Sequence, residues 1–198
     1  HPNPVCQQAN SLFAMAIAIL IGVPCGIVAA VWRSSWVDQA FSGFAMLGAS
    51  IPSFWLGLVL IQMFAVLLGW FPVSGYGPPD APLAERLHAL VLPATVLGLL
   101  NSALIIRFTR ASMLDVLGED YVRTARSKGL SEMTVVMKHA LRNALVPIVT
   151  VVGLTVALMI GGAVVTETVF GLPGVGNLVV SAVLRRDYPV IQGALLVI

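Results

Sequence analysis

Charged residues are few in this sequence. Of its 198 residues only 10% are charged and 58% are hydrophobic, whereas soluble domains carry about 25% charged residues. This shortage excludes an ordinary soluble domain and predicts a protein that crosses a membrane several times. The net charge is only +2 and the sequence has no basic tail, so we expect no nucleic-acid partner.

Cysteine, metal-ligand clusters and phosphate-binding loops are also scarce. The two cysteines, Cys6 and Cys25, are too few for a disulfide framework. His88 and His139 have no cysteine or histidine partners at metal-ligand spacing, so we expect no metal site. No segment matches the phosphate-binding loop GxxxxGK[ST]. We therefore expect no catalytic residues and no cofactor bound by this chain.

Long uncharged runs are abundant instead. About 20 apolar residues cross a bilayer as a helix, and the sequence predicts an all-α, polytopic membrane helix bundle with about four full transmembrane helices plus the start of a fifth. The predicted spans are 11–32, 53–70, 89–108, 145–166 and 190–198.

Two local signals refine the first two spans. The uncharged run 40–70 is too long for one span, and "IPSFW" (51–55) predicts a break because proline disfavours helix at the residue before it. Gly22 and Gly26 form a GxxxG pair, which permits two helices to pack closely.

The basic residues set the expected orientation. Eight of the eleven lysines and arginines lie just after the first span, at the end of the third span or between the third and fourth spans. Because basic residues favour cytoplasmic loops, we expect residues 109–144 in the cytoplasm. The stretches 71–88 and 168–189, which are punctuated by glycine and proline, are then external loops. We expect both ends to be cut from a longer chain.

The segment 118–147, "GEDYVRTARSKGLSEMTVVMKHALRNALVP", is the one long charged passage with a helical pattern. Residues 112–128 are predicted to form one helix. The apolar face of that helix comprises Leu114, Leu117, Tyr121 and Ala125.

A turn and a second helix are predicted to follow. Gly129 tolerates the left-handed conformation that ends many helices. Ser131 can accept a backbone N–H as the N-cap of a helix over about 132–144, which continues into the fourth span. The resulting hairpin can dock its apolar stripe in a groove of a soluble partner or rest on anionic lipid. The residue pattern leaves both roles open.

The stretch "DYVRTARSKGLSEMTVVMKHALRNALVPIVT" resembles the cytoplasmic signature of ABC importer permeases. "IPSFWLG", "PVSGYG", "RFTRASMLDVLGEDY", "ETVFGLPGVGNLV" and "RDYPVIQGA" are similar to the peptide-transporter branch. The positions that match the general signature are Ala125, Gly129 and Leu141. The departures from it, which are typical of the peptide branch, are Arg123, Thr124, His139 and Arg142. The chain thus resembles the B-type membrane subunit of a type I importer for dipeptides, oligopeptides, glutathione or nickel.

The resemblance implies several partners. These are a second homologous permease subunit, two cytoplasmic ATPase subunits that bind ATP and magnesium, a periplasmic or lipid-anchored substrate-binding protein, and membrane lipid. It implies a multi-pass protein of the bacterial cytoplasmic (inner) membrane, with residues 1–10 as a periplasmic remnant. The residues expected to couple this chain to an ATPase are Glu119, Asp120, Tyr121, Arg123, Thr124, Ala125, Arg126, Gly129 and Ser131.

Four residues of the spans are candidates for the transport pathway or its gate. They are Asn101, Ser102, Met159 and Glu167. Each has a structural alternative: hydrogen bonding between helices for the two polar residues of the third span, core packing for the methionine, and an interfacial structural carboxylate for the glutamate. Two rival functions also remain, a permease for another solute class and a non-transporting membrane scaffold or channel.

Overall fold

The computed structural model describes residues 4–77, 81–162 and 164–197, and every regular element in these ranges is a helix. Residues 1–3 of the expected periplasmic remnant, 78–80 of the expected external loop and 198 of the fifth span lie outside the described residues. The helices in chain order are α1 (Pro4–Val31), α2 (Trp36–Ser50), α3 (Ser53–Leu60), α4 (Leu83–Leu117), α5 (Asp120–Ser127), α6 (Glu132–Thr134), α7 (Leu141–Gly162), α8 (Val164–Phe170), α9 (Val175–Arg185) and α10 (Tyr188–Val197).

Two π-helical segments extend these helices. Ile61–Leu67 continues α3, and Val135–Ala140 joins α6 to α7. The chain is therefore helical without interruption from Glu132 to Gly162. We refer to this stretch as the 132–162 helix.

The chain forms two compact units. Unit 1 comprises His1–Ile17, Ile51–Gly98 and Val156–Ile198, and unit 2 comprises Ala18–Ser50 and Leu99–Thr155. The charged passage lies in unit 2, whereas Glu167 and the residues around it lie in unit 1.

Three helices of the described residues are long and apolar enough to cross a membrane: Cys6–Val31, Leu83–Leu117 and Glu132–Ala157. Two further pairs of helices are each interrupted by a short break, and counting each pair as one span brings the number to five. These pairs are Trp36–Ser50 with Ser53–Leu67, and Val164–Phe170 with Val175–Arg185. The predicted all-α membrane fold is confirmed.

The break predicted at "IPSFW" is present, because α2 ends at Ser50 and α3 begins at Ser53. Pro52 has extended backbone (φ −63°, ψ 135°), which a helix cannot continue through. The segment expected as the span 53–70 is helical only to Leu67. The helix ends shortly before Gly69, whose φ of 65° is left-handed.

Several boundaries differ from the sequence-based expectation. The helix α4 begins at Leu83, inside the expected external loop 71–88. The stretch 168–189 is not a loop throughout, because α8 runs to Phe170 and α9 begins at Val175. The non-helical residues of this stretch are 171–174, where the glycine and proline signals are most concentrated, and 186–187. In the third span, α4 extends for 35 residues, so its helix continues well beyond the expected end at residue 108.

The GxxxG pair of α1 packs against α4 within unit 2. A Cβ atom at Gly22 would lie 2.6 Å from Ile105 Cγ2, and one at Gly26 would lie 2.6 Å from Thr109 Cβ. Such distances exclude any larger residue unless the helices move apart. The predicted close helix packing is therefore confirmed.

A larger apolar cluster of unit 2 includes part of the charged passage. It joins α1, α4 and the 132–162 helix. Its buried residues are Ala30, Met113, Val136, Ala140, Ala144 and Ile148. Burial of these side chains fixes the direction in which the 132–162 helix leaves the charged passage.

Candidate functional site

The charged passage begins with a helix break that is absent from the predicted helix 112–128. Residues 112–128 do not form one helix: α4 ends at Leu117, and α5 begins at Asp120. The Gly118 N–H donates to the carbonyls of Leu114 and Asp115, and Glu119 has extended backbone (φ −71°, ψ 148°). The sequence signal for this break is a glycine that can end a helix, followed by acidic residues at the start of the next helix. We call residues 118–144 the helical hairpin.

This break changes which residues of α5 are buried. Val122 is fully buried and Ala125 is 6% exposed. They pack against Val135 and Leu117 in a small core of the hairpin itself. Tyr121, expected on the apolar face, is 40% exposed. Of the apolar face predicted for this helix, Ala125 therefore packs inside the hairpin together with Val122, whereas Tyr121 remains at the surface.

The turn at Gly129 has the geometry that the sequence predicts. Gly129 has a φ of 78°, which an L-residue rarely adopts. Its N–H donates to the Arg126 carbonyl at 2.9 Å, and the Leu130 N–H donates to the Ala125 carbonyl at 3.4 Å. These two bonds make a Schellman motif, so α5 ends in a defined turn that reverses the chain.

The second helix starts at the predicted cap. Ser131 has extended backbone, and its hydroxyl accepts the Thr134 N–H at 3.4 Å. Glu132 follows in the first turn, where a negative charge is favourable. The cap predicted at Ser131 is confirmed, and the helix it starts continues into the candidate span Glu132–Ala157.

Two side-chain contacts join the arms of the hairpin. Across the turn, Arg126 Nε donates to Glu132 Oε1 at 2.9 Å and Arg126 Nη2 donates to Glu132 Oε2 at 3.3 Å. Both side chains are well exposed, so this ion pair contributes about 1 kcal/mol or less. At the other end, Asn143 Nδ2 donates to Tyr121 Oη at 2.7 Å. The hairpin is thus closed by its core, its turn and these two contacts.

The outer surface of α5 is polar. Arg123 lies 3.6 Å from Asp120 with both side chains largely exposed, and Glu119 and Thr124 are exposed as well. Of the nine residues expected to couple the chain to an ATPase, only Ala125 is buried. We call Glu119, Asp120, Arg123 and Thr124 the outer face.

The pathway candidates of the third span lie on α4 in unit 2. Ser102 is fully buried and donates to the Leu99 carbonyl of its own helix at 2.7 Å. Asn101 is half-buried. Intrahelical bonding satisfies a serine at membrane depth, so the Ser102 hydroxyl is already engaged.

The pathway candidates of unit 1 are both buried. Met159 is 4% exposed and Glu167 is 2% exposed. Glu167 Oε2 accepts the Asn177 N–H at 3.2 Å, which places the carboxylate at the N-terminus of α9. A Cβ atom at Gly174 would collide with that carboxylate, and one at Gly176 would lie 2.8 Å from Oε2. These glycines leave the space that Glu167 occupies.

An ion pair between Asp38 and Arg110 in unit 2 goes beyond the sequence-based predictions. Arg110 Nε donates to Asp38 Oδ1 at 2.6 Å and Arg110 Nη2 donates to Asp38 Oδ2 at 2.8 Å. The Ser34 N–H also donates to Asp38 Oδ2 at 3.0 Å. Ser35 and Asp38 have the spacing of a capping box, which was the only local signal. The partner Arg110 lies 72 residues away.

Within the described residues, no group of three or more histidine, cysteine, aspartate or glutamate side chains is placed to hold a metal ion. The polar residues of the hairpin form contacts that shape a surface, and none of those described resembles a nucleophile oriented by a base.

Comparisons with known proteins match this architecture. Residues 22–198 match the family model described as the inner membrane component of binding-protein-dependent transport systems. A putative peptide transport system permease protein of Brucella suis biovar 1 (strain 1330) is 50% identical over 187 residues, covering 94% of this chain and 59% of that protein. The glutathione transport system permease protein GsiC of Escherichia coli (strain K12) is 47% identical over 203 residues, covering 98% of this chain and 64% of that protein.

The chain therefore spans about three fifths of the length of the curated relatives it matches. Among solved structures, an inward-facing MetNI methionine ABC transporter has a chain that aligns with a TM-score of 0.77 and 19% identity, over 97% of this chain and 84% of that one. This likeness shows a shared fold. From the match to the family model over residues 22–198, we conclude that the chain belongs to the family of inner membrane components of binding-protein-dependent transport systems.

Proposed function

We propose that this chain is a membrane-spanning permease subunit of a binding-protein-dependent ABC importer. It would form half of the pathway for dipeptides, oligopeptides or a related solute such as glutathione or nickel. Relatives that are named as peptide and glutathione permeases support this substrate class. The observation that carries the proposal is the closed hairpin, whose second arm continues into a helix apolar enough to cross a membrane.

The geometry of the hairpin suits the transfer of motion. A flexible loop would absorb a displacement, whereas α5 is fixed to the 132–162 helix by the Val122–Val135 core. Movement of α5 would therefore displace the helix that follows it. We propose that an ATPase subunit contacts the outer face and that closure of two such subunits moves this helix, which changes access to the pathway as in other alternating-access transporters.

The proposal assigns roles to the predicted coupling residues. The outer-face residues Glu119, Asp120, Arg123 and Thr124 would contact the ATPase. Ala125, Gly129 and Ser131 would hold the hairpin in shape. Tyr121 and Arg126 are exposed and also join the two arms. They would therefore both contact the ATPase and hold the hairpin in shape.

Partners and location follow from the same proposal. The hairpin would lie in the cytoplasm of a bacterial cell whose cytoplasmic membrane holds the chain, with a second homologous permease beside it. ATP and magnesium would bind the two ATPase subunits and not this chain. A substrate-binding protein would deliver solute from the opposite, periplasmic side.

Replacement of Gly129 by valine tests the proposal. A β-branched residue is strongly disfavoured at a φ of 78°, so the turn and the direction of α5 should change. Gly43→Val is the matched control, because Gly43 lies within α2 with nothing within 4 Å of its Cβ position. Both variants of the full-length permease are reconstituted with its ATPases and binding protein, and peptide uptake is measured.

We expect Gly129→Val to insert normally and to lose at least tenfold in uptake, while Gly43→Val retains most of it. Unchanged uptake by Gly129→Val at normal abundance would refute the coupling role of the hairpin.

A further inference from the structure

An open cleft in unit 2 lies apart from the hairpin. Its volume is about 350 Å³, and it is lined by one segment of α2 and one segment of α4. Charged and apolar side chains alternate along its walls. The lining residues are Ser42, Met46, Arg107, Phe108, Arg110 and Ala111.

Arg107 brings a free positive charge to this cleft. It is exposed, and the ion pairs found in the described part of the chain involve Arg110, Arg123 and Arg126 instead. A guanidinium stays protonated at any physiological pH. The charge of Arg107 therefore remains available to an anion from outside the chain.

The neighbouring charges do not cancel that of Arg107. Asp38 engages Nε and Nη2 of Arg110, so this pair is neutral as a unit. Ser42 Oγ lies 3.3 Å from Asp38 Oδ1 and donates to it, which occupies the remaining acceptor. The Arg110 side chain is still 30% exposed, and its Nη1 group is not used in the bonds to Asp38. The cleft thus carries a net positive charge with spare donors.

The apolar part of the cleft indicates what kind of anion fits. Met46 and Phe108 line it and are both exposed. A small inorganic anion would leave these side chains uncovered, whereas an amphiphile would cover them. Arg107 stands at the end of the predicted span 89–108, on the side where basic residues accumulate. Basic pockets between membrane helices on that side suit anionic headgroups.

We infer that this cleft binds an anionic phospholipid, with the phosphate on the Arg107 guanidinium and an acyl chain along Met46 and Phe108. Arg110 contributes its spare N–H groups to the same phosphate, and Asp38 fixes the orientation of Arg110. This site is independent of the coupling role proposed for the hairpin.

Native mass spectrometry of the full-length permease, assembled with its partner subunits, tests the inference. The protein is titrated with phosphatidylglycerol or with phosphatidylethanolamine, and retained lipids are counted. The variants are Arg107→Gln and Arg107→Lys. Arg33→Gln is the matched control, because it removes the same charge from another exposed arginine of unit 2 that does not line the cleft.

We expect the unmodified protein to retain phosphatidylglycerol in preference to phosphatidylethanolamine. Arg107→Gln should lower the phosphatidylglycerol affinity about fivefold, Arg107→Lys by less, and Arg33→Gln hardly at all. An equal loss in Arg33→Gln would overturn the site, since general surface charge would then explain the binding.

Two further outcomes would also overturn the inference. Displacement of phosphatidylglycerol by millimolar inorganic phosphate would assign the site to free phosphate. Dissociation of the assembled subunits by Arg107→Gln, with lipid retention unchanged, would assign the cleft to a protein interface.

Discussion

The hydroxyl of Tyr121 accepts a 2.7 Å hydrogen bond from Asn143 Nδ2. The bond links α5 to the first turn of α7, at the open end of the hairpin and opposite the Gly129 turn. Asn143 Nδ2 also donates to the His139 carbonyl at 3.1 Å, which fixes the orientation of its amide. The two arms are therefore held at both ends, and their separation does not depend on the turn alone.

Loss of the Tyr121 hydroxyl should loosen the first arm without unfolding the chain. A hydrogen bond between exposed groups contributes about 1 kcal/mol, so Tyr121→Phe should raise the amide exchange rate of 120–127 by about fivefold. Asn143→Ala should have a similar effect. In the double variant the two changes should add little to each other, because both remove the same bond. Fully additive effects would show that the bond does not hold the hairpin closed.

The pair of Asp38 and Arg110 should contribute strongly to the stability of unit 2. Asp38 is 5% exposed, so Asp38→Asn would leave the Arg110 guanidinium poorly paired at a cost of about 3 kcal/mol. Asp115→Asn is the control, because Asp115 is an exposed acidic residue of the same unit. The measurement is thermal unfolding of the purified protein in detergent. Equal melting temperatures for the two variants would contradict the assigned role of the pair.

Glu167 and Gly174 should behave as a coupled pair. The carboxylate occupies the position that a Cβ atom at residue 174 would need, so Gly174→Ala should destabilise unit 1 by about 2 kcal/mol through overpacking. Truncation of Glu167 to alanine removes the obstacle, so Gly174→Ala should cost much less in a Glu167→Ala background. Gly153→Ala, with nothing within 4 Å of its Cβ position, is the control. The same cost of Gly174→Ala in both backgrounds would contradict this contact.

The parts of the hairpin that the sequence predicts correctly depend on local chemistry. Gly129 is needed because the backbone there is left-handed, and Ser131 caps a helix through a bond to a residue three positions later. Each requirement is met within a few residues, so the residue types at these positions suffice to predict it.

The structure differs from the prediction where a local helix break changes which residues of the following helix face the core. The sequence pattern predicts a helix that continues through Gly118, which places Tyr121 on the apolar face. With the helix broken before Asp120, the buried residue is Val122. Periodicity alone cannot indicate such a break, because both versions of α5 have apolar residues at helical spacing.

Long-range pairs are the other limit. Asp38 and Arg110 lie on different helices of unit 2, and neither position shows which partner it has until the helices are packed. The same holds for Glu167, whose carboxylate is enclosed by a glycine pair that the sequence marks only as a loop signal. The helical character of these segments follows from the sequence pattern, whereas the partners of these side chains depend on tertiary packing.

The coupling role proposed for the hairpin requires that the outer face of α5 contacts an ATPase rather than lipid. Site-specific photo-crosslinking distinguishes these two contacts. A photoreactive residue is placed at Thr124, on the outer face, and in a control at Leu20, which is 73% exposed on α1. The assembled full-length transporter is irradiated in membranes with and without ATP. We expect an ATPase adduct from position 124, with a yield that changes with ATP, and only lipid adducts from position 20. Lipid adducts alone from position 124 would contradict the proposed coupling role.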